Sequence, residues 1–226
     1  SGKSSVCKSI IENIPEENYL KALFALSQNK DGVTANELSK HLDIKMPTVN
    51  SMMKRLADKG LVNYESYKPF SLSVEGKRRA ALIIRKHRLT EMFLVQKMGF
   101  EWDEVHPIAE QIEHIQSDIF FEKMDFLLGY PHTDPHGSPI PSLEGELPII
   151  NNKKLSDCIV GQEVTFNAVS NSSPEFLKFL KDKKMALGLS FTIVNIEDYD
   201  GSVDIKIQDL PKVTLSKIVS DKILVV

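Results

Sequence analysis

Between Glu16 and Leu72 the apolar residues change their spacing in a fixed order, and that order constrains the fold most. Glu16 to Gln28 carries Tyr19, Leu20, Leu23, Phe24 and Leu26 on a period near 3.6, which predicts a helix. Pro15 precedes it, where a first helical turn tolerates a missing N–H. Asp31-Gly32 makes a turn, and Thr34 with Glu37 three residues on reads as a capping box for a short helix ending near Leu42-Asp43. Pro47 opens a third helix that runs to Gly60, with Val49, Met52, Met53 and Leu56 as its buried face. Leu61-Val62 and Phe70-Ser71-Leu72 then read as two strands around a polar turn that holds Lys68-Pro69. Three helices followed by a β-hairpin predict a winged helix-turn-helix, whose third helix is shaped for a major groove.

The charge distribution points the same way. The whole chain has a net charge of −3, but residues 40 to 90 hold 12 Lys and Arg against 4 acids, a local +8. The remainder holds 16 basic residues against 27 acids, a charge of −11. A basic module joined to an acidic one suggests that the first meets a polyanion. In the third helix, Thr48, Asn50 and Ser51 suit base edges and phosphates, and Met46 and Pro47 suit a thymine methyl. Lys54 and Arg55, with Lys68 near the tip of the wing, extend the electrostatic footprint on double-stranded DNA. The bland alternative is a solvated polar face on a winged helix that contacts only protein.

Beyond residue 74 the pattern changes. Glu75 to Lys97 is helical for about six turns and ends at Gly99-Phe100. Pro107 to Leu128 reads as one further long helix, stopped by Gly129-Tyr130-Pro131. Residues 130 to 153, rich in Pro, Gly, His and Asn, have the composition of a linker. Alternating segments at 162–168, 190–196, 203–207 and 222–226, with a short helix at 174–184, predict a small β-barrel. The fold class expected is therefore mainly α with small β, in three domains. These are a winged helix-turn-helix (1–74), a helical domain (75–141), and a linker with an SH3-like β-barrel (142–226). The chain's 226 residues and 26% charged content suit a globular protein of two or three small domains. No run approaches the roughly 20 apolar residues of a membrane helix, and the polar start lacks the apolar stretch of a secretory signal. Two distant cysteines, Cys7 and Cys158, permit one disulfide but read as reduced thiols, so a cytoplasmic location is expected.

The two long helices carry a denser chemical signal. His87 and Glu91 are spaced i and i+4 on the first. On the second, His106 lies four residues before Glu110, and Glu110, Glu113 and His114 fall on one helical face. Carboxylate oxygens with imidazole nitrogens, and no cysteine among them, favour manganese or ferrous iron over a structural zinc site. Surface ion pairing is the bland reading of any one such pair. His41 reads as a solvated helix residue, and His132 and His136 as turn residues of the linker. Trp102, Phe93, Phe120, Phe121 and Phe126 read as packing groups, as do Met52 and Met53.

Three stretches, RKHRLTEMFL (85–94), VHPIAEQIEHIQSD (105–118) and GYPHTDPHGSPIP (129–141), closely resemble the diphtheria toxin repressor family of metal-dependent transcription regulators. EENYLKALFAL and MPTVNSMMKRLADKGLVNYE fit that family's N-terminal domain, and the C-terminal segment resembles its SH3-like domain more loosely. The resemblance implies a homodimer in which metal binding permits operator binding and represses transport genes. It implies one metal site at His87, Glu91 and His106, and another at Glu110, Glu113 and His114 completed by Asn18 of the first helix. Lys21 stands where manganese-specific relatives can carry an acid, and Glu110 where iron-type members carry cysteine. The SH3-like domain can donate a further ligand near Asn167 and Ser170.

The expectation is a metal-dependent, DNA-binding repressor rather than an enzyme, controlling manganese or iron homeostasis, with Mn2+ preferred and Fe2+ the alternative. Metal would restrict the angle between two reading heads that must reach major grooves about 34 Å apart, a shift of population towards the competent arrangement. Two other classes compete: a metal-dependent hydrolase using the His/Glu cluster, and a metal-sensing scaffold that binds only protein.

Overall fold

A computed structural model of the chain describes residues 3–28 and 30–226, with side chains from Ile14 onward. Cys7 therefore lies outside the described side chains, and Cys158 is a buried free thiol. The chain divides into two compact units, each assembled from several stretches.

The first unit takes in the chain up to Thr90, then Ala109–Tyr130 and Ile140–Pro148. Helix α1 spans Lys3–Leu26. It includes Pro15 in its interior, whereas the sequence placed Pro15 at the helix start. The helical pattern simply continues on the N-terminal side of the proline, at the cost of one backbone hydrogen bond. α2 (Ala35–Leu42) carries the expected capping box: Thr34 Oγ1 accepts from the Glu37 N–H, and the Thr34 N–H donates to the Glu37 carboxylate. α3 (Met46–Asp58) has Pro47 in its first turn and buries Val49, Met53 and Leu56. The wing pairs β1 (Val62–Asn63) with β2 (Ser71–Leu72), in register Val62 opposite Leu72. A bridge between Val33 and Phe70 ties the wing to the start of α2. These elements share one core: Tyr19, Leu20 and Leu23 of α1 pack with Leu38, Val49, Met53, Leu56, Leu61 and Phe70.

α4 follows as Val74–Met98. A Cβ on Gly76 would stand 1.9 Å from the Leu61 carbonyl oxygen, so only glycine lets the first turn of α4 lie against the base of the wing. The single helix expected from Pro107 to Leu128 is instead two, α5 (His106–Ile112) and α6 (Asp118–Leu128). Glu113 and His114 form the turn after α5, and Ser117 in extended conformation precedes Asp118 in the first turn of α6. Ser-Asp is a helix-start signal that the unbroken apolar period conceals. α6 ends at Gly129, left-handed at φ 73°.

The second unit comprises Glu91–Ile108, Pro131–Pro139 and Ile149–Val226. Its sheet contains β3 (Lys153–Lys154), β4 (Glu163–Val169), β5 (Ser190–Ile196), β6 (Val203–Lys206), β7 (Val213–Leu215) and β8 (Ile223–Val225). All neighbours are antiparallel in the order β3-β8-β4-β5-β6-β7. Irregularities between Phe166 and Ala168 and between Ile193 and Asn195 interrupt the register; such bulges bend a strand. A helix, α7 (Pro174–Asp182), capped by Ser173, crosses between β4 and β5, and a short α8 (Lys217–Ser220) precedes β8. Phe166, Leu177, Leu180, Ile193, Ile205 and Ile223 lie in the core of this unit. Residues 131–139 are not a linker: Asp134, His136 and Gly137 are buried, and the Val169 N–H donates to the His136 carbonyl.

Candidate metal centre and nucleic-acid interface

The apolar face of α3 is spent on the core, and this leaves Met46, Pro47, Thr48, Ser51, Lys54 and Arg55 exposed, with Asn50 half-buried. Met46, Asn50 and Lys54 line a groove whose other wall is the wing, at Tyr64, Tyr67 and Lys68. The Ser51 hydroxyl donates to the Pro47 carbonyl at 2.9 Å, and Lys54 Nζ stands 5.9 Å from the centre of the Tyr64 ring. Lys68 pairs with Glu65 in the wing. Arg55 is not a free cation: its Nε lies 2.8 Å from Glu16, which Lys59 also holds at 2.7 Å. The Glu16 carboxylate, in the middle of α1, is buried, a tie that the sequence reading missed because its partners are about forty residues away. Tyr67, fully exposed with φ 65° at the tip of the wing, was missed as well.

In the same unit, α1, α4 and the turn after α5 bring acids and imidazoles together. Glu113 has no exposed side-chain surface, and Lys21 Nζ donates to its two oxygens at 2.6 and 2.8 Å. His87 Nδ1 lies 2.5 Å from its second oxygen, and His114 Nε2 lies 3.6 Å from its first. Burial pushes the Glu113 carboxyl up, but the His87 hydrogen bond and the Lys21 charge outweigh it, and the group sits below the usual carboxylate range. His114 Nδ1 lies 2.5 Å from Glu17, whose other oxygen accepts from Gln116. The first-helix group that reaches this cluster is thus Glu17, while Asn18 and Glu110 are exposed. α5 ends at Ile112, and Glu113 and His114 lie in the turn that follows, where the Glu113 N–H still donates to the Ala109 carbonyl at 2.9 Å.

The donors are carboxylate oxygens and imidazole nitrogens, and a lysine ammonium already rests against the most buried of them. A set of this composition fits a hard or borderline divalent cation such as Mn2+ or Fe2+.

In the second unit, Glu91 is buried, with His106 Nδ1 3.4 Å from one oxygen and His136 Nδ1 3.4 Å from the other. On α4, His87 precedes Glu91 by four residues, so the two project from one face of the helix. His136 Nε2 lies 2.8 Å from the Trp102 carbonyl, and Asp134 Oδ2 is 3.9 Å from Nδ1. Burial pushes the His136 imidazole down, but hydrogen bonds to Asp134 and Glu91 and their charges raise it to about 10. His136 does lie in a turn, as the sequence predicts, with the Gly137 N–H donating to the Asp134 carbonyl at 3.1 Å; its burial against Glu91 and Trp102 is what the sequence did not show. Asn167 donates to Asn152 at 2.7 Å, and exposed Ser170 to the Lys222 carbonyl at 3.4 Å.

Fold and donor set together define the class: a winged helix joined to a domain of paired histidines and carboxylates. The family model "Iron dependent repressor, N-terminal DNA binding domain" matches residues 15–69, and "Iron dependent repressor, metal binding and dimerisation domain" matches residues 73–142. A solved structure described as a manganese-dependent transcriptional repressor in complex with manganese is 30% identical. It superposes with a TM-score of 0.85 over 93% of this chain and 98% of its own. The crystal structure of ScaR with bound zinc is 29% identical, with a TM-score of 0.75 over the same shares. The iron-dependent repressor IdeR of Mycobacterium tuberculosis (strain ATCC 25618 / H37Rv) is 34% identical over 129 residues, covering 56% of this chain and 55% of IdeR. The chain spans about half the length of these curated relatives. It belongs to the diphtheria toxin repressor family of metal-dependent regulators. Among the described residues no helix is long and apolar enough to cross a membrane.

Proposed function

We propose that the chain is a cytoplasmic, homodimeric transcriptional repressor that binds an operator in double-stranded DNA when loaded with a divalent metal, manganese in preference to ferrous iron. The observation that carries this reading is the double attachment of α1. One of its residues, Glu17, meets His114, and its neighbour Glu16 meets Arg55 and Lys59 at the far end of α3. Tyr19, Leu20 and Leu23 hold the same helix in the core beneath α3. Whatever fixes Glu113, His114 and Glu17 relative to one another therefore fixes the base on which the recognition helix stands.

Glu113 and His114, with Glu110, form one ligand set, completed from α1 by the Glu17 carboxylate or the neighbouring Asn18 amide oxygen. His87, Glu91 and His106 form the other. A bound cation supplies the positive charge that lets these carboxylates lie close together. Met46, Pro47, Thr48, Asn50 and Ser51 meet base edges and phosphates, Lys54 and wing Lys68 meet phosphates, and Arg55 is shared with Glu16. The three domains expected at 1–74, 75–141 and 142–226 remain our functional division, the last one modulating the second metal set. The test is selection of operators from random duplex DNA with manganese, ferrous iron, zinc and chelator in parallel. The reading expects an enriched palindromic site with manganese and none with chelator. Equal enrichment in chelator would overturn the metal dependence, and no enrichment under any condition would overturn the DNA partner.

A further inference from the structure

Lys21 brings a positive charge into the donors around Glu113. Its Nζ donates to both carboxylate oxygens, at 2.6 and 2.8 Å, and Glu113 has no exposed side-chain surface. His114 Nε2 lies 3.6 Å from Oε1, one of the oxygens that the ammonium holds. Donor atoms bound to one ion at about 2.1 Å lie roughly 3.0–3.4 Å apart, so Oε1 and Nε2 stand close to the spacing of two ligands of one cation. His114 Nδ1 is engaged by Glu17 at 2.5 Å, and this turns Nε2 towards Glu113. We propose that Lys21 is a tethered cation that fills the metal position against Glu113, so that a divalent ion enters this ligand set only by displacing the ammonium. Lys21 thereby sets the metal concentration at which the regulator responds. Glu113 and His114 enter as the ligands assigned to them above, and the inference rests on that assignment.

The chemistry of lysine suits an exchange of cations. In its charged form the head group has donors but no lone pair, so it balances a carboxylate without joining the ligands of a metal. Left against the same oxygens it would repel an incoming divalent ion, so the two cations exclude one another. The charge rides on a flexible four-carbon stem. The side chain is 20% exposed, which gives the head a route into water while Glu113 stays buried. Taking the partner from a buried carboxylate is strongly unfavourable when nothing replaces it. Exchange avoids this, because Glu113 faces a cation before and after. Glu17 and Lys21 are spaced i and i+4 on α1, one turn apart on one face, so the ammonium also fastens α1 to the turn after α5 in the metal-free protein. Apparent affinity falls with the fraction of molecules ready to bind. If the ammonium is in place in roughly 90–99% of metal-free molecules, its removal tightens Mn2+ binding by about 10–100-fold.

The experiment uses the full chain and manganese alone. Mn2+ affinity and stoichiometry are measured by equilibrium dialysis for the native protein, Lys21→Met, Lys21→Arg and His114→Ala, and native crystals are grown with MnCl2. Lys21→Met keeps most of the stem and removes the charge, so it should bind Mn2+ about 10–100-fold more tightly. Lys21→Arg keeps the charge and can grip a carboxylate with two parallel hydrogen bonds, so its affinity should be native or weaker. In the native crystals with Mn2+ bound, Lys21 Nζ should have left both Glu113 oxygens. Native or weaker affinity in Lys21→Met overturns the proposal. Nζ still on both oxygens beside bound Mn2+ overturns it in the native protein, even if a variant fails to fold. Unchanged Mn2+ stoichiometry in His114→Ala removes the ligand assignment and the tethered cation with it. Loss of one Mn2+ per chain in His114→Ala, with native affinity in Lys21→Met, leaves the assignment standing and rejects the tethered cation alone.

Discussion

Replacing Glu16 by Gln tests whether α1 is tied to α3 by charge. The carboxylate side chain is 8% exposed and meets Arg55 Nε at 2.8 Å and Lys59 Nζ at 2.7 Å. A hydrogen bond to a charged group contributes about 1.5–3 kcal/mol when its partner is well desolvated. Here the cations keep side-chain exposures of 49% and 42%, and solvated heads reduce an ion pair towards ~1 kcal/mol. Glutamine preserves volume and one acceptor, so no cavity adds to the loss. The expected cost is about 1–2 kcal/mol for the two contacts together. Urea unfolding should show a lower midpoint with an unchanged slope. A double-mutant cycle with Lys59→Met isolates one contact and should give a coupling of about 0.5–1 kcal/mol. The same Glu16→Gln protein should need more manganese to bind DNA, because α1 no longer carries its position to α3. A coupling near zero, together with an unshifted manganese response, would refute the argument.

His114→Ala should abolish metal-dependent DNA binding in a mobility-shift assay while circular dichroism stays native; an unchanged metal response removes His114 from the site. Lys54→Ala should lower the slope of log K against log salt by about one unit if Lys54 meets a phosphate, and an equal slope would take it out of the interface. Glu110→Cys should move activation from manganese towards iron or softer metals, read by anaerobic DNA binding against free metal concentration. In chelated protein the His136 ring should stay protonated through neutral pH, as followed by NMR of its ring nitrogens. Its folded value is raised from 6.5 to about 10, so the stability it contributes is full below pH 6.5 and is lost as pH rises through about 10. Titration near 6.5 would contradict the buried pairing with Glu91 and Asp134.

Local chemistry was legible in the sequence because its rules act over one or two turns of chain. The capping box at Thr34, Pro47 in the first turn of α3 and its inner face follow from spacing alone, with Val49, Met53 and Leu56 buried and Met52, expected among them, only partly so. So does the hairpin that sets Val62 opposite Leu72. The inventory of imidazoles and carboxylates was equally visible, and with it the class of metal. Tertiary structure decided which of those groups face one another. An apolar period that runs unbroken through residues 107–128 cannot reveal that the chain turns at Glu113 and restarts at Asp118, because both helices bury the same kind of face. Nor can spacing distinguish exposed Asn18 from Glu17, one residue away, which meets His114 across 97 positions of sequence. Nor could spacing show that α1 brings Glu16 beside Arg55. His136 is the turn residue that its Pro-Gly surroundings predict, but its burial and charge pairing depend on partners distant along the chain, Glu91 and Trp102, and composition carries no record of distance.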